Sequence, residues 1–303
     1  GVQRVTQAVI EWVDHVTPAE IAEVDAMLDR VSAADGVSSL SEHTYLHLLA
    51  GTAGADRHGL VRVNRRIVGY AFVSADDDPV AEFLVDPAAR GEGIGAQMLS
   101  EILDVAGPRV RIWAHGQLPA AEAIAMSAGM RPVRRLCRYT RALTELPDVA
   151  LPAGVTVRRF TADDAQAWLA LNAEAFVDLP DQGSWTRADL DERLAQAWFD
   201  PEGFLLAFDD HGLVGFHWTK VHGGVAHPHV RTGEVYVLAV AGRARGTGLG
   251  SALTSMGLHY LEGLGLGTVM LYVDLQNTGA VAMYESLGFV RADCDVQFAL
   301  APG

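Results

Sequence analysis

Apolar residues fall at helical spacing at Ile21, Val24, Met27, Leu28 and Val31. They follow Thr17-Pro18-Ala19-Glu20, a capping box with proline at the first helical position, so a helix is predicted there. Short apolar runs then predict strands near 59–65, 67–75 and 79–85. Ile94, Met98, Ile102 and Val105 return to helical spacing, before a strand at 109–114, a helix near 118–128 and a strand around 130–141. Residues 142–154, with Pro147, Pro152 and Gly154, read as a linker. The order then restarts. A strand at 155–160 precedes a helix start at Thr161 with Asp164 as its capping acid, and strands follow at 203–209, 213–220 and 233–240. Leu249, Leu253, Met256 and Tyr260 resume helical spacing, ahead of a strand at 268–273, a helix near 278–287 and a last strand near 289–299. The pattern predicts an α/β chain of two units in one order, residues 1–141 and 155–303, joined by the linker.

The repetition extends to composition. Arg90-Gly91-Glu92-Gly93-Ile94-Gly95 returns as Arg245-Gly246-Thr247-Gly248-Leu249-Gly250, each copy placed between an apolar run and a helical pattern. Backbone N–H groups at a helix start are unpaired and sit at the positive end of the helix dipole, so they suit phosphate oxygens. Glycines let a pyrophosphate approach the backbone, and the arginines add charge-assisted bonds. Both copies read G-x-G-x-G, so neither is a dinucleotide fingerprint, and no Gly-Lys-Ser/Thr ending marks a P-loop.

Charge and cysteine count narrow the function classes. A formal charge of −15 disfavours a broad nucleic-acid footprint and is compatible with a small cationic substrate. No apolar stretch nears the roughly 20 residues of a membrane span, and residues 1–15 lack a secretory core, so a cytoplasmic monomer is expected. Cys137 and Cys294 are too few for a disulfide framework; both are expected to be buried, inert thiols in a reducing compartment. His217, His222, His227 and His229 match no common zinc spacing and have no cysteine nearby, so no metal is expected.

Arg-x-x-Gly-x-Gly between a strand and a helix resembles the acetyl-CoA loop of the GNAT acetyltransferase superfamily. Asn277, Ala280, Tyr284 and Leu287-Gly288-Phe289 resemble its second signature, N-x-x-A-x-x-x-Y-x-x-L-G-F. The resemblance covers both halves. It implies two tandem GNAT-like units, each a mixed, mostly antiparallel sheet flanked by helices, with acetyl-CoA as cosubstrate. The cosubstrate residues it implies are Phe83, Leu84, Val85, Arg90, Gly91, Gly93 and Gly95 in the first unit. In the second they are Leu238, Ala239, Val240, Arg245, Gly246, Thr247, Gly248, Leu249, Gly250, Asn277 and Ala280.

Four further segments are similar to tandem GNAT enzymes that acetylate the cysteinyl amine of a cysteine–glucosamine–inositol conjugate. They are Gln182-Gly183-Ser184-Trp185-Thr186, Gly215-Phe216-His217-Trp218-Thr219-Lys220, Gly233-Glu234-Val235-Tyr236-Val237 and Val269-Met270-Leu271-Tyr272-Val273-Asp274. That likeness implies an acceptor pocket using Asp35, Asp181, Lys220, Glu234 and Tyr272. Since Asp35 falls in the first half, the implied pocket lies partly between domains.

The halves differ in chemistry. Glu234 lies eleven residues before Arg245, whereas the position eleven before Arg90 is Pro79. Matching Leu287-Gly288-Phe289 to Ala128-Gly129-Met130 puts Ala125 opposite Tyr284 and Leu118 opposite Asn277. The first unit is therefore expected to hold ligand without catalysing, and the second to catalyse. There Glu234 is the candidate base for the amine and Tyr284 the candidate acid for the departing thiolate. Backbone N–H groups around Leu238 and Val240 are the candidate holders of the thioester arm. Two other readings stay open: a tandem GNAT for another amine, such as an aminoglycoside or a protein N-terminus, and a non-catalytic acetyl-CoA sensor.

Overall fold

The computed structural model describes residues 9–50, 55–223 and 231–301, without the side chains of residues 180 and 181. In chain order its elements are β1 (Ile10–Val13), α1 (Pro18–Asp35), α2 (Glu42–Ala50), β2 (Arg57–Val63), β3 (Arg66–Val73), β4 (Val80–Val85), α3 (Ile94–Ala106), β5 (Arg111–Ala114), α4 (Pro119–Ser127) and β6 (Met130–Ala142). After residues 143–155 come β7 (Thr156–Arg159), α5 (Ala165–Ala175), α6 (Pro180–Gly183), α7 (Arg187–Leu194), β8 (Phe204–Asp209), β9 (Gly212–His222), β10 (Thr232–Val240), α8 (Leu249–Gly263), β11 (Thr268–Asp274), α9 (Thr278–Ser286) and β12 (Val290–Leu300). The chain forms two compact units. One runs to Leu136 and takes in Asp293 onward; the other is Cys137–Ala292.

The first unit's sheet has the order β1-β2-β3-β4-β5-β12, antiparallel except where β4 runs parallel to β5. Its last strand is the end of the chain: Val296 to Ala299 pair with Ala114 to Arg111. Strand β3 is buried from Ile67 to Val73, and its period-two alternation serves two layers. Ala71 and Val73 face Ile94, Met98 and Ile102 of α3, while Tyr70 and Phe72 face Val24, Met27 and Val31 of α1. Helix α1 starts as the sequence predicts, with the Thr17–Glu20 capping box and Pro18, and ends on Gly36 at φ 74°.

The second unit repeats the order as β7-β8-β9-β10-β11-β6, with β10 parallel to β11. Its aromatic core joins Trp168 of α5, Phe204, Phe216 and Trp218 of the sheet, Leu190 of α7, and Leu249 and Leu253 of α8. Elements the pattern does not anticipate are β1, α2, α6 and α7, which are short; α7 nonetheless carries a capping box from Thr186 to Asp189.

In both units the parallel pair splays open. Pairing of β4 with β5 stops at Ala81, and pairing of β10 with β11 stops at Val235. The backbone from Tyr236 to Val240 then has β9 on one side only, and a bulge between Val235 and Val237 sets where the strands part.

Cys137 and Cys294 lie on β6 and β12 and are buried, as expected, but neither is a free thiol. The inert-thiol expectation is corrected: a count of two rules out a framework and says nothing of either sulfur's redox state.

Candidate active site

The second glycine loop enters α8 on Gly248 at φ 88°, with Gly246 at 77°, a region closed to most side chains. No side chain caps the helix, and a Cβ at either glycine would meet nothing within 4 Å. The leading N–H groups of α8 therefore face open space at the positive end of the dipole. Arg245 is exposed and its side chain makes no hydrogen bond or ion pair among the described residues. Gly250 differs: a Cβ there would lie 3.0 Å from the Met283 sulfur, so this glycine lets α8 pack closely on α9. With the unpaired edge of Leu238, Ala239 and Val240, the cradle fits an anionic, extended ligand.

Helix α9 begins at Asn277, whose side chain accepts the Ala280 N–H at 3.1 Å. The N-x-x-A spacing thus builds an N-cap. One turn on, Tyr284 is buried, edge-on to Phe289 at 5.7 Å. Its hydroxyl has no hydrogen bond among the described residues, and burial pushes its pKa well above the ordinary tyrosine value. It stays protonated, as a proton donor must.

Glu234 sits on β10 at the last turn of parallel pairing, directly across from Lys220 on β9. Period-two alternation puts Trp218, Lys220 and His222 on the same face. Trp198, Trp218 and Tyr236 form an aromatic wall, with ring centroids 5.1 and 5.4 Å from Tyr236. The Lys220 ammonium lies over the Trp198 and Tyr236 rings at 4.6 and 5.1 Å. Arg193 from α7 closes the wall: its guanidinium stacks 3.8 Å above Trp185 and donates to the Tyr236 hydroxyl at 3.0 Å. Glu234 Oε2 is bonded to His222 Nε2 at 2.5 Å, while Oε1 makes no hydrogen bond among the described residues.

The structure thus brings together Lys220 and Glu234 on one face, with Tyr272 half-exposed on β11. The Asp181 side chain lies outside the described residues; its backbone belongs to α6. Sequence reading missed Trp198, Arg193 and His222 as members of this face. His222 was legible through the two-residue step from Lys220, whereas nothing in Arg187–Leu194 separates Arg193 from an ordinary solvated arginine. His217 points the other way, against α8, with Nδ1 at 2.7 Å from the Leu253 carbonyl. Burial draws its pKa down to about 4. His227 and His229 lie outside the described residues.

The first unit keeps the loop and loses the opening. Gly91 and Gly93 take φ of 82° and 81°, and α3 starts uncapped. Gly95 packs α3 against Ile124 of α4. Phe83, Leu84 and Val85 lie past the point where β4 leaves β5. Arg90, however, is spoken for: its two terminal nitrogens bond both Asp35 oxygens, at 2.7 and 2.9 Å. Asp35 is thereby placed at the end of α1 within the first unit.

The first residue beyond the β4–β5 split is Glu82, and it is sealed. It accepts from the Ser41 N–H and hydroxyl at 2.9 and 2.7 Å and from the Thr44 hydroxyl. His115 Nε2 lies 2.5 Å from Oε1, the oxygen that also accepts the Ser41 N–H, and His115 Nδ1 lies 2.8 Å from Asp295. Burial pulls the imidazole pKa down, but the two carboxylates outweigh it and carry it up to about 10. Burial likewise pushes Glu82 up, and its donors hold it below the usual carboxylate range. Ala125 is buried at the position matched to Tyr284.

Comparison with known proteins agrees with this geometry. The family model described as "Acetyltransferase (GNAT) family" matches residues 26–128 and 166–289. The chain is 48% identical to a mycothiol acetyltransferase of Thermobispora bispora over 93% of its length and 96% of that protein. It is 45% identical to another of Rhodococcus jostii, over 97% and 99%. Among solved structures, a tandem GNAT protein from the clavulanic acid biosynthesis pathway superposes with a TM-score of 0.72 at 18% identity, covering 97% of this chain and 100% of that one. A GCN5-related N-acetyltransferase from Sphaerobacter thermophilus gives 0.68 at 23%, covering 96% of each.

Proposed function

The chain belongs to the acetyltransferase (GNAT) family, among relatives that are mycothiol acetyltransferases, and from this premise we propose that it acetylates the cysteinyl amine of a cysteine–glucosamine–inositol conjugate, with acetyl-CoA as donor. The observation that carries the reading is the second unit's open cradle beside a carboxylate with one oxygen unbonded among the described residues. The thioester supplies an activated acyl group and a leaving thiolate. The residues of the chain do the rest.

Arg245 and the uncapped N–H groups of α8 hold the diphosphate, and the unpaired edge from Leu238 to Val240 holds the pantetheine arm. Glu234 Oε1 takes the proton of the attacking amine. Tyr284 donates its proton to the departing sulfur. Lys220, Tyr272 and the aromatic wall of Trp198 and Tyr236 bind the sugar conjugate, with Asp181 as a further acceptor contact. An α-amine with a pKa of about 7.7–8.0 is already roughly a tenth neutral at pH 7, so Glu234 and Tyr284 each contribute about 10²-fold. Juxtaposing the two reactants contributes more, up to about 7–11 kcal/mol. In this reading the first unit holds ligand and catalyses nothing.

The test mixes purified protein with acetyl-CoA and the cysteine–glucosamine–inositol amine, following CoA release and product mass. Efficient transfer, with little to cysteine or aminoglycosides, is expected. Acetyl-CoA binding without transfer to that amine would keep the fold and donor and overturn the acceptor.

A further inference from the structure

A buried carboxylate does useful base chemistry only if one oxygen is held and the other is left for its partner. Glu234 meets that condition through one neighbour. His222 is the last residue of β9 and pairs with Thr232, so it sits diagonally across from Glu234 on the same face of the sheet. Its Nε2 lies 2.5 Å from Oε2, and Oε1 is left without a hydrogen bond among the described residues. The imidazole is 36% exposed and the carboxylate 9%. The pair thus runs from the buried side of the wall out to water. The other titratable or charged groups on this face are Lys220 on β9, Tyr236 on β10 with Arg193 of α7 bonded to it, and Tyr272 and Asp274 on β11. Asp274 is turned to its own loop, accepting the Gln276 N–H at 2.9 Å.

We propose that His222 is a positioning residue for the transfer reaction: its Nε2–H holds Glu234 Oε2, so that Oε1 is presented to the incoming amine. The assignment rests on reading Glu234 as the proton acceptor. The hydrogen bond fixes one rotamer of a side chain that otherwise samples several. Without His222 the carboxylate points less reliably. A histidine that served only the strand end would affect folding and leave kcat per folded molecule alone.

The experiment measures steady-state kinetics of the full chain with acetyl-CoA and the cysteine–glucosamine–inositol amine, for His222→Ala, His222→Gln, Glu234→Gln and the double variant His222→Ala/Glu234→Gln. Gln carries an N–H donor at the place of Nε2. The expected result is a fall in kcat of about tenfold for His222→Ala with KM for acetyl-CoA unchanged. His222→Gln recovers most of the rate. The double variant is no slower than Glu234→Gln, because the histidine acts through the carboxylate. An unchanged kcat in His222→Ala, with Glu234→Gln impaired, overturns the assignment alone. So does a further tenfold loss in the double variant. Full activity in Glu234→Gln overturns the base reading and this inference with it.

Discussion

Glu82 and Glu234 lie on either side of the point where a strand of the parallel pair leaves its neighbour: Glu82 is the first residue past the β4–β5 split, and Glu234 is still paired with β11, one residue before its pairing ends. In the first unit every carboxylate oxygen is satisfied from within, by Ser41, Thr44 and His115, and the group is lost to water. In the second unit one oxygen is held and the other makes no hydrogen bond among the described residues. The arginines that open the two glycine loops diverge the same way, Arg90 closed on Asp35 and Arg245 unpaired among the described residues. A duplicated scaffold keeps its backbone geometry in both copies. The copies differ in which of their polar groups are already spent on the protein.

The sharpest way to break this comparison is to exchange the two carboxylates' fates. Glu82→Gln leaves a buried His115 with Asp295 alone, and breaking a buried ion pair costs about 3–5 kcal/mol. The remaining partner puts the loss near the lower bound, about 3 kcal/mol, read as a lower melting temperature with turnover per folded molecule unchanged. The pH dependence gives the sign. His115 has a folded pKa raised to about 10, above its unfolded value of about 6.5, so its contribution is full below that value and lost as pH rises toward 10. Glu82 has a lowered folded pKa, so its contribution is present above its unfolded value of about 4.3 and lost as pH falls. Melting temperature in the wild type should therefore decline between pH 6.5 and 10, and the decline should flatten in Glu82→Gln. A variant that stays fully stable while losing turnover would place chemistry in the first unit.

Glu234→Gln is the matching change, and its effect is expected on rate instead of stability. Loss of about 10²-fold in kcat/KM is expected, greatest below about pH 8, where most of the amine is protonated. Above that pH the amine is neutral without help and the deficit narrows. A deficit independent of pH would make Glu234 a binding residue.

How much of this was legible beforehand depends on the range over which each feature is encoded. The strands and helices of both units follow local alternation, and the glycine loops follow local φ requirements, so 57–63, 66–73, 80–85 and 249–263 lie where periodicity puts them. The matched loops and the Asn277–Phe289 spacing are local too, and they carried the family resemblance. Counting back from Arg90 found Pro79 at the position matched to Glu234, so the reading gave the first unit no matching base. Glu82 escaped because its meaning comes from partners 38 to 41 residues upstream and from His115 and Asp295, none of them encoded near it. Residues 293 onward fold with the first unit, and no local pattern distinguishes that outcome from pairing within the second half. Arg193 is likewise defined by contacts with Trp185 and Tyr236 that helix periodicity cannot show.

A smaller effect is expected from Arg245→Ala. The side chain is exposed and unpaired among the described residues, so the fold loses little. A charge-assisted bond to a diphosphate is worth about 1.5–3 kcal/mol, so KM for acetyl-CoA should rise about tenfold or more with kcat largely retained. Titration with acetyl-CoA at fixed amine separates the two parameters. An unchanged KM would remove this arginine from the cradle.

Arg90→Ala should have the smallest effect of the series, and for a reason the first substitution does not share. Arg90 already gives two hydrogen bonds to Asp35 and a third to the Val85 carbonyl at 3.2 Å. A ligand anion at the first loop must therefore compete with a carboxylate held at the end of α1. Removing the arginine leaves Asp35 one-tenth exposed and uncompensated, but the pair stands at the surface on the arginine side, where such pairs contribute about 0.2–1 kcal/mol. The expected outcome is a stability loss within about 1 kcal/mol, measured by denaturant titration, with turnover within about twofold of the wild type. Abolished turnover in a protein that remains folded would mean that the first loop serves the chemistry directly, and that the closure of Arg90 on Asp35 is a resting arrangement the reaction must open.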